Sequence, residues 1–186
     1  YGVYLISGGL GKVGLLCAKY LTDLYNATVI LIGRRKLDEN GQNDIEQISS
    51  QGNIKYFTCD ITSYESVKNI ILNLKNEKID VNGIIHCAGI TTEEQLPYVD
   101  FEEFCSVLKP KVLGIYNLDR ATRNDKLDFF ISFSSISAII GDYCRGSYSV
   151  ANKFLDEFTL YREKLVKKGL RFGHTISVNW PVWQDG

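Results

Sequence analysis

The sequence has no methionine and only two histidines among its 186 residues. Two histidines, His86 and His174, are too few for a His-based metal cluster, so we predict no metal site. The chain begins at Tyr1 rather than at an initiator methionine. That start predicts a piece of a longer polypeptide, although a processed or trimmed chain would explain it equally well.

Long apolar runs and an excess of charge of either sign are also missing. No run approaches the roughly 20 apolar residues of a membrane-spanning helix, so no membrane partner is expected. The formal net charge of −1 does not favour binding to nucleic acid. The five cysteines include no C-x-x-C pair, which predicts free thiols in a reducing cytoplasm. With 45% apolar residues, the chain predicts one soluble domain over 1–186.

Short apolar runs alternate with stretches of helical spacing along the whole chain. The runs lack polar alternation, which is typical of strands buried on both faces of a parallel sheet. They lie at 3–7, 28–32, 54–58, 83–87, 129–133 and 174–178. Helices are predicted near 12–25, 63–75, 101–123 and 149–168, with a surface helix and loops over 36–53. This order predicts an α/β fold, a doubly wound parallel sheet of the Rossmann-like type.

Two of the predicted helices have their apolar residues on one side. In the first helix, the residues on or near one face are Val13, Leu16, Leu21 and Leu24. In the helix over 63–75 they are Val67, Ile70, Ile71 and Leu74. This spacing predicts that both stretches are helices with one apolar face.

A glycine-rich turn, "SGGLGKVG", follows the first predicted strand and opens the first helix. Glycine allows a tight turn and a close approach of backbone to a pyrophosphate, whose charge suits a helix N-terminus. The alternative is that these glycines serve only turn geometry and packing. The spacing resembles the loop of short-chain dehydrogenases/reductases. We expect cofactor contacts from Gly8, Gly9, Leu10, Gly11 and Gly14.

Residues after the second and third strands fall where a dinucleotide would place its adenosine. Arg34 and Arg35 would favour a 2′-phosphate. The alternative interpretation is that they are two solvated surface arginines. Asp60, followed by Ile61, could accept a hydrogen bond from the adenine amino group. The alternative interpretation is that Asp60 caps a helix. These residues predict NADPH rather than NADH.

The segment "HCAG" follows the fourth predicted strand. Ala88 and Gly89 are small enough to let a cofactor lie against the backbone. His86 is expected to be a packed residue at the end of the strand rather than a catalyst.

Four polar residues could perform carbonyl reduction, which needs a hydride on carbon and a proton on oxygen. Ser135 ends the fifth strand, and Tyr148 follows 13 residues later on the next helix. A tyrosine pKa lies near 10, so a neighbouring cation would favour proton donation near neutral pH. Asn152 is neutral, whereas Lys111, 24 residues before Ser135, can supply the charge.

This set of spacings resembles the ketoreductase domains of modular polyketide synthases and related fatty-acid synthases. Lys111, Ser135, Tyr148 and Asn152 carry the resemblance, with the segments "SGGLGKVG", "HCAG" and "SVNWPVW". Ordinary short-chain reductases have the lysine and the asparagine exchanged. The resemblance covers essentially the whole chain and extends the predicted fold to the short-chain dehydrogenase/reductase type.

The resemblance also implies an activity. An NADPH-dependent enzyme would reduce a β-ketoacyl thioester to the β-hydroxyacyl thioester during polyketide biosynthesis. The substrate would be carried on the phosphopantetheine arm of an acyl carrier protein, beside neighbouring synthase domains. Tyr148 would donate the proton and Ser135 would bond the ketone oxygen, while Lys111 and Asn152 orient and polarise Tyr148 and the cofactor ribose.

The sequence departs from the family at positions linked to product stereochemistry. Ile90, Thr91 and Thr92 replace a Leu-Asp-Asp triplet, and Ile140 replaces a tryptophan. The missing acidic pair favours an L-hydroxyl product. The family's structurally related half before the first strand and its lid helix are missing from this sequence, which therefore predicts a catalytic subdomain. Two rival interpretations are a free-standing reductase of small carbonyl compounds and a catalytically silent structural module.

Overall fold

A parallel sheet with helices on both sides organises the part of the chain described by this computed structural model, residues 2–48, 53–93 and 98–182. The sheet order is β3-β2-β1-β4-β5-β6, with every neighbouring pair parallel. The strands are β1 Val3–Ser7, β2 Thr28–Gly33, β3 Ile54–Thr58, β4 Gly83–His86, β5 Phe129–Ser135 and β6 His174–Trp180. The predicted doubly wound sheet is confirmed.

Successive residues of the inner strands enter two different apolar clusters, which is why the runs show no polar alternation. Leu5 and Ile84 belong to the cluster on one face of the sheet. Their chain neighbours Ile6 and Ile85 belong to the cluster on the other face. All four are at most 6% exposed, so each strand is covered on both sides.

Helices connect the strands at nearly the predicted places. They are α1 Lys12–Tyr25, α2 Glu39–Ile48, α3 Tyr64–Asn76, α4 Phe101–Ala121, α5 Ser137–Ile140 and α6 Gly146–Lys167. Helix α2 lies within the predicted stretch 36–53, of which residues 49–52 lie outside the described residues. In α3 all four predicted apolar residues are buried.

The apolar face predicted for α1 is wrong in part. Leu16 is 53% exposed and Leu24 is 64% exposed, whereas the buried residues of α1 are Gly14 and Ala18. Only small residues fit between α1 and the glycine turn, because the two segments lie very close together. A Cβ atom on Gly14 would stand 2.6 Å from the carbonyl oxygen of Gly8.

Helix α6 begins at Gly146, three residues before the predicted start at 149. Tyr148, which was expected on this helix, lies in its first turn. Ser149 supports this start, because its hydroxyl and its N–H both bond the carbonyl oxygen of Arg145. The helical position fixes the direction of the tyrosine side chain relative to β5.

A buried ion cluster that the sequence analysis missed holds α4 against α6. The Arg162 guanidinium donates to Asp119 of α4 at 2.8 Å and stacks 4.4 Å above the ring of Phe130. Arg171 donates to the same carboxylate at 2.9 Å. Removal of one partner from such a buried pair is strongly destabilising, because the other charge stays buried. The cluster thereby fixes how the two helices that carry Lys111 and Tyr148 lie against each other.

Candidate active site

The candidate site lies at the carboxyl ends of β1 and β4, where the strand order reverses direction. The chain proceeds from β1 outward to β2 and β3, and then returns to β4 on the other side of β1. In open α/β sheets this reversal leaves a crevice in which ligands bind. The glycine turn after β1 and the "HCAG" segment after β4 form its two sides.

Gly8 brings these two segments together. Its φ angle is +72°, in the left-handed region that favours glycine, and a Cβ atom there would stand 2.8 Å from the backbone nitrogen of Ala88. No side chain fits between the segments. Gly9 packs against Leu31 of β2, and Leu10 packs on the apolar cluster beneath α1 and α2, so their contact with a cofactor stays a prediction. Gly11 is the N-cap residue of α1.

A cavity of about 130 Å³ opens beside this turn. Five predicted cofactor residues meet there, although they come from four separate segments of the chain. These five are Gly8, Arg34, Ile61, Ala88 and Gly89. The remaining lining residues are Gly33, Cys59, Thr62, Ile90 and Pro110.

Arg35 and Asp60 are not among the lining residues. Arg35 is exposed, and its carbonyl oxygen accepts a hydrogen bond from the Tyr56 hydroxyl. Asp60 accepts from the N–H and the hydroxyl of Thr62, at 2.9 and 2.8 Å, so its carboxylate closes a local turn. The helix cap considered for Asp60 is instead provided to α3 by Ser63.

Lys111 and Tyr148 lie together at the other end of the crevice. The Lys111 ammonium is 5.6 Å from the centre of the Tyr148 ring and donates to the carbonyl oxygen of Phe133 at 2.8 Å. Gly89 makes room for the lysine, because a Cβ atom there would stand 2.8 Å from Lys111 Cε. The predicted lysine thus approaches the tyrosine from α4.

Burial lowers the pKa of Lys111 to about 8, and electrostatic interactions with Cys87 and Asp156 oppose this fall. Its side chain is only 4% exposed, and a buried ammonium loses most of its hydration. Burial, and then the charge of Lys111, lowers the pKa of His86 to about 3. His86 is wholly buried and bonds the Ser7 hydroxyl at 2.6 Å, so it is a packed neutral residue.

Ser135 ends β5, which continues two residues beyond the predicted strand. Its hydroxyl oxygen accepts from the N–H of Ser137 at 3.2 Å, and its carbonyl oxygen accepts from the Asn179 amide at 3.2 Å. These contacts fix the serine backbone from two directions. The half-buried hydroxyl retains its own proton to donate.

Asn152 is wholly buried one turn after Tyr148. The side-chain amide of Asn152 donates to the backbone carbonyl oxygen of Tyr148 at 2.9 Å. The backbone carbonyl oxygen of Asn152 accepts from the Ser134 hydroxyl at 3.1 Å. Asn152 therefore braces the first turn of α6 against β5. Within the described residues, its side-chain oxygen has no hydrogen-bond partner.

The sequence analysis missed two groups that support this arrangement. Asp156 lies one turn after Asn152 and bonds Ser177 and Asn179 of β6. The four-residue interval from Tyr148 to Asn152 to Asp156 could have revealed it. Asn117 of α4 donates to the Ile61 carbonyl oxygen at 2.8 Å and so anchors the cavity wall. No local pattern marks this contact across 56 residues.

A Rossmann-like sheet with serine, tyrosine and lysine at its carboxyl edge defines the short-chain dehydrogenase/reductase class. A family model described as the KR domain matches residues 2–185 of the chain. The chain therefore belongs to the KR domain family, the ketoreductases of polyketide synthases, which are oxidoreductases.

Similar proteins agree with this assignment. The chain is 38% identical to polyketide synthase PksN and 37% identical to polyketide synthase PksL, both of Bacillus subtilis strain 168. Both matches cover 100% of this chain. The chain spans only 3% of PksN and 4% of PksL, which are far longer.

Solved ketoreductase structures are similar as well. A ketoreductase domain from the bacillaene assembly line is 40% identical with a TM-score of 0.95, and the match covers 100% of this chain and 45% of that one. An N-terminal ketoreductase from the macrolactin assembly line is 35% identical with a TM-score of 0.89, covering 98% of this chain and 37% of that one. In the described residues, no helix is both long enough and apolar enough to span a membrane.

Proposed function

We propose that this ketoreductase uses NADPH to reduce the β-keto group of an acyl thioester to a β-hydroxyl. The thioester would be carried on the phosphopantetheine arm of an acyl carrier protein. The observation that carries the proposal is the Lys111 ammonium 5.6 Å from the Tyr148 ring, at the strand end that bears Ser135. The free cysteines suit a reducing compartment, and we place the reaction in the cytoplasm.

The residues of the crevice fit a nicotinamide dinucleotide. The turn at Gly8 has no room for a Cβ atom, so a pyrophosphate could lie close to the backbone at the start of α1. Ile61 and Ala88 offer apolar surface to an adenine ring, and Arg34 offers a cation to a 2′-phosphate. NADPH, when bound, supplies the hydride that the carbonyl carbon receives.

Side chains of the protein bind and protonate the carbonyl oxygen of the substrate. The Ser135 hydroxyl donates a hydrogen bond to that oxygen and holds it near Tyr148. The Tyr148 hydroxyl gives its proton to the oxygen, and the Lys111 ammonium stabilises the phenolate that remains. Buried Asn152 keeps the first turn of α6 in place during the transfer.

The proposed partners, and the place of this chain in a larger enzyme, follow from the proteins to which it is similar. PksN and PksL are polyketide synthases that are far longer than this chain, so neighbouring synthase domains are the proposed partners. We propose that the 186 residues act as the catalytic subdomain of such an assembly. Thr91 and Thr92 carry no charge where an acidic pair marks one stereochemical class, and we therefore propose an L-hydroxyl product.

An assay with a short β-ketoacyl thioester tests the proposal. Loss of NADPH absorbance should accompany formation of the β-hydroxyacyl thioester, and chiral separation of the product identifies the hydroxyl configuration. The protein should be assayed alone and with any flanking sequence that its gene encodes. Folded protein that binds NADPH but leaves every β-ketoacyl thioester unchanged in both forms would support a catalytically silent module instead.

A further inference from the structure

An ion pair joins the two segments that border the crevice. The Arg145 guanidinium donates to the Glu93 carboxylate at 2.7 Å, across 52 positions of the chain. Glu93 follows β4 and the "HCAG" segment, while Arg145 directly precedes α6. The side chains of Glu93 and Arg145 are 75% and 36% exposed, so the pair lies at the surface. It has no part in the reaction proposed above.

The first turn of α6 has little local support. Arg145 is its N-cap residue, and no side chain in the described part of the chain caps the helix. The first backbone N–H groups of a helix have no partner inside it, and a missing cap lowers helix stability. Gly146 follows, and glycine adds backbone freedom. Tyr148 comes two residues later, so the proposed proton donor lies in a turn that depends on tertiary contacts.

The ion pair completes a circuit of contacts around the crevice. Lys111 lies 5.6 Å from the Tyr148 ring and also against Gly89, where a Cβ atom would stand 2.8 Å from the lysine Cε. Glu93 follows Gly89 by four residues. It pairs with Arg145, which precedes Tyr148 by three residues. The lysine therefore holds the start of the segment after β4, and the arginine holds its end.

The same segment forms part of the cavity wall, because Ile90 lines the cavity in which the cofactor is proposed to bind. Small misplacements of reacting groups cost large factors in rate. We propose that Glu93 and Arg145 are positioning residues, whose ion pair fixes the Tyr148 turn against the cofactor-lining segment after β4. The inference deepens the proposed function and rests on it, since the position of Tyr148 affects the rate only if that residue transfers the proton.

Hydrogen exchange of backbone amides tests the ion pair without any substrate. Glu93→Gln and Arg145→Gln each remove one partner, and both side chains are partly exposed, so the variants should fold. Exposed ion pairs have modest energies, and we therefore expect amides in the peptide 142–152 to exchange about two- to fivefold faster in each variant. The double variant should exchange no faster than either single variant, because one substitution already breaks the pair.

Steady-state kinetics of the same variants test the consequence for the reaction. With a neutral short β-ketoacyl thioester and saturating NADPH, kcat should fall about two- to fivefold in each single variant and no further in the double variant. KM for the thioester should change less than kcat, since neither side chain is proposed to contact the substrate. Salt screens exposed charges, so rising ionic strength should lower the wild-type kcat toward that of the double variant, whose own kcat should stay constant.

The matched control is Glu157→Gln. Glu157 pairs with Lys153 at 2.9 Å on the same helix, with both side chains exposed, and it lies nine residues after Tyr148. This variant should change neither the exchange of the first turn nor kcat. Arg145→Lys keeps the positive charge and should retain most of the protection from exchange and most of the rate.

Three results would overturn the inference. The first is unchanged exchange of the first turn of α6 in Glu93→Gln and Arg145→Gln. The second is a double variant in which the two single effects add, and the third is faster exchange with an unchanged kcat. Folded protein without reductase activity would instead refute the proposed function, while hydrogen exchange would still decide whether the ion pair fixes the Tyr148 turn.

Discussion

The Lys111 ammonium lies 5.6 Å from the centre of the Tyr148 ring, although the two residues belong to different helices and lie 37 positions apart. In the exchanged arrangement of ordinary short-chain reductases, one helix carries both groups. Here α4 supplies the cation and α6 supplies the tyrosine, so the buried contacts between these helices determine the geometry of the site.

The first prediction concerns the Tyr148 hydroxyl. Tyr148→Phe removes the proposed proton donor and keeps the ring, so NADPH should still bind while kcat falls by at least ~10²-fold. The matched control is Tyr143→Phe, because Tyr143 is nearby in the chain and 81% exposed. Steady-state kinetics and a fluorescence titration with NADPH measure the two effects. Near-normal turnover in Tyr148→Phe would exclude the tyrosine as the acid.

The second prediction concerns the exchanged lysine and asparagine. Since the pKa of Lys111 is about 8, kcat should decline as pH rises through that value and the ammonium is lost. Lys111→Ala should lower kcat and move the pH optimum upward, because this titration disappears. The double variant Lys111→Asn with Asn152→Lys should recover part of the rate. An unchanged pH profile in Lys111→Ala would contradict the proposed role.

The third prediction separates the two arginines after β2. Arg34 lines the cavity, whereas Arg35 does not, so Arg35→Ala is a matched control for Arg34→Ala. A charge-assisted hydrogen bond contributes about 1.5–3 kcal/mol, which is roughly a tenfold to hundredfold change in affinity. Arg34→Ala should weaken NADPH by that factor and leave NADH nearly unchanged. If Arg34→Ala weakens the binding of NADPH and of NADH equally, as measured by nicotinamide fluorescence, then Arg34 acts through folding.

The fourth prediction is that buried Lys111 lowers the stability of the fold at neutral pH. Its pKa is about 8 in the folded protein against an ordinary value of 10.5, so the unfolded chain binds the proton more tightly. Wild-type stability should therefore rise as pH increases from about 8 to 10.5. Lys111→Met should be more stable by about 1–3 kcal/mol at pH 7, with the gain fading over that window. Urea unfolding at several pH values measures it, and a less stable variant at pH 7 would contradict it.

The fifth prediction concerns acid unfolding. Burial holds the pKa of His86 at about 3, against an ordinary value of 6.5, so the unfolded chain takes up a proton that the folded chain refuses. Stability should fall as pH decreases from about 6.5 toward 3, with a slope of up to about 1.4 kcal/mol per pH unit from this group. His86→Asn should reduce the slope. Equal slopes in wild type and His86→Asn would contradict the prediction.

Local pattern predicted most of the fold. Buried parallel strands need apolar side chains on both faces, and helices between them need one apolar side, so the order of elements is visible in the sequence itself. The apolar face predicted for the first helix was wrong in part. Leucines at helical spacing suggested a buried face, but close packing of α1 on the glycine turn selected Gly14 and Ala18 instead.

The chemistry of the site was also partly visible, because sequence intervals on regular elements translate into positions. The spacing of Ser135, Tyr148 and Asn152 follows from one strand and one helix, and the glycine turn lies where β1 meets α1. These features depend on chain geometry over a few turns, which is what local sequence determines.

Only the tertiary structure decided which groups meet across the sheet. It brings Lys111 from α4 onto Tyr148, places Arg34 but not Arg35 at the cavity, and sets Asp156 against Asn179. It also buries the Asp119–Arg162 pair, whose members are 43 residues apart. Such contacts depend on how whole helices pack and how much water they exclude. The resulting charges and pKa values therefore belong to the folded molecule and have no local signature in the sequence.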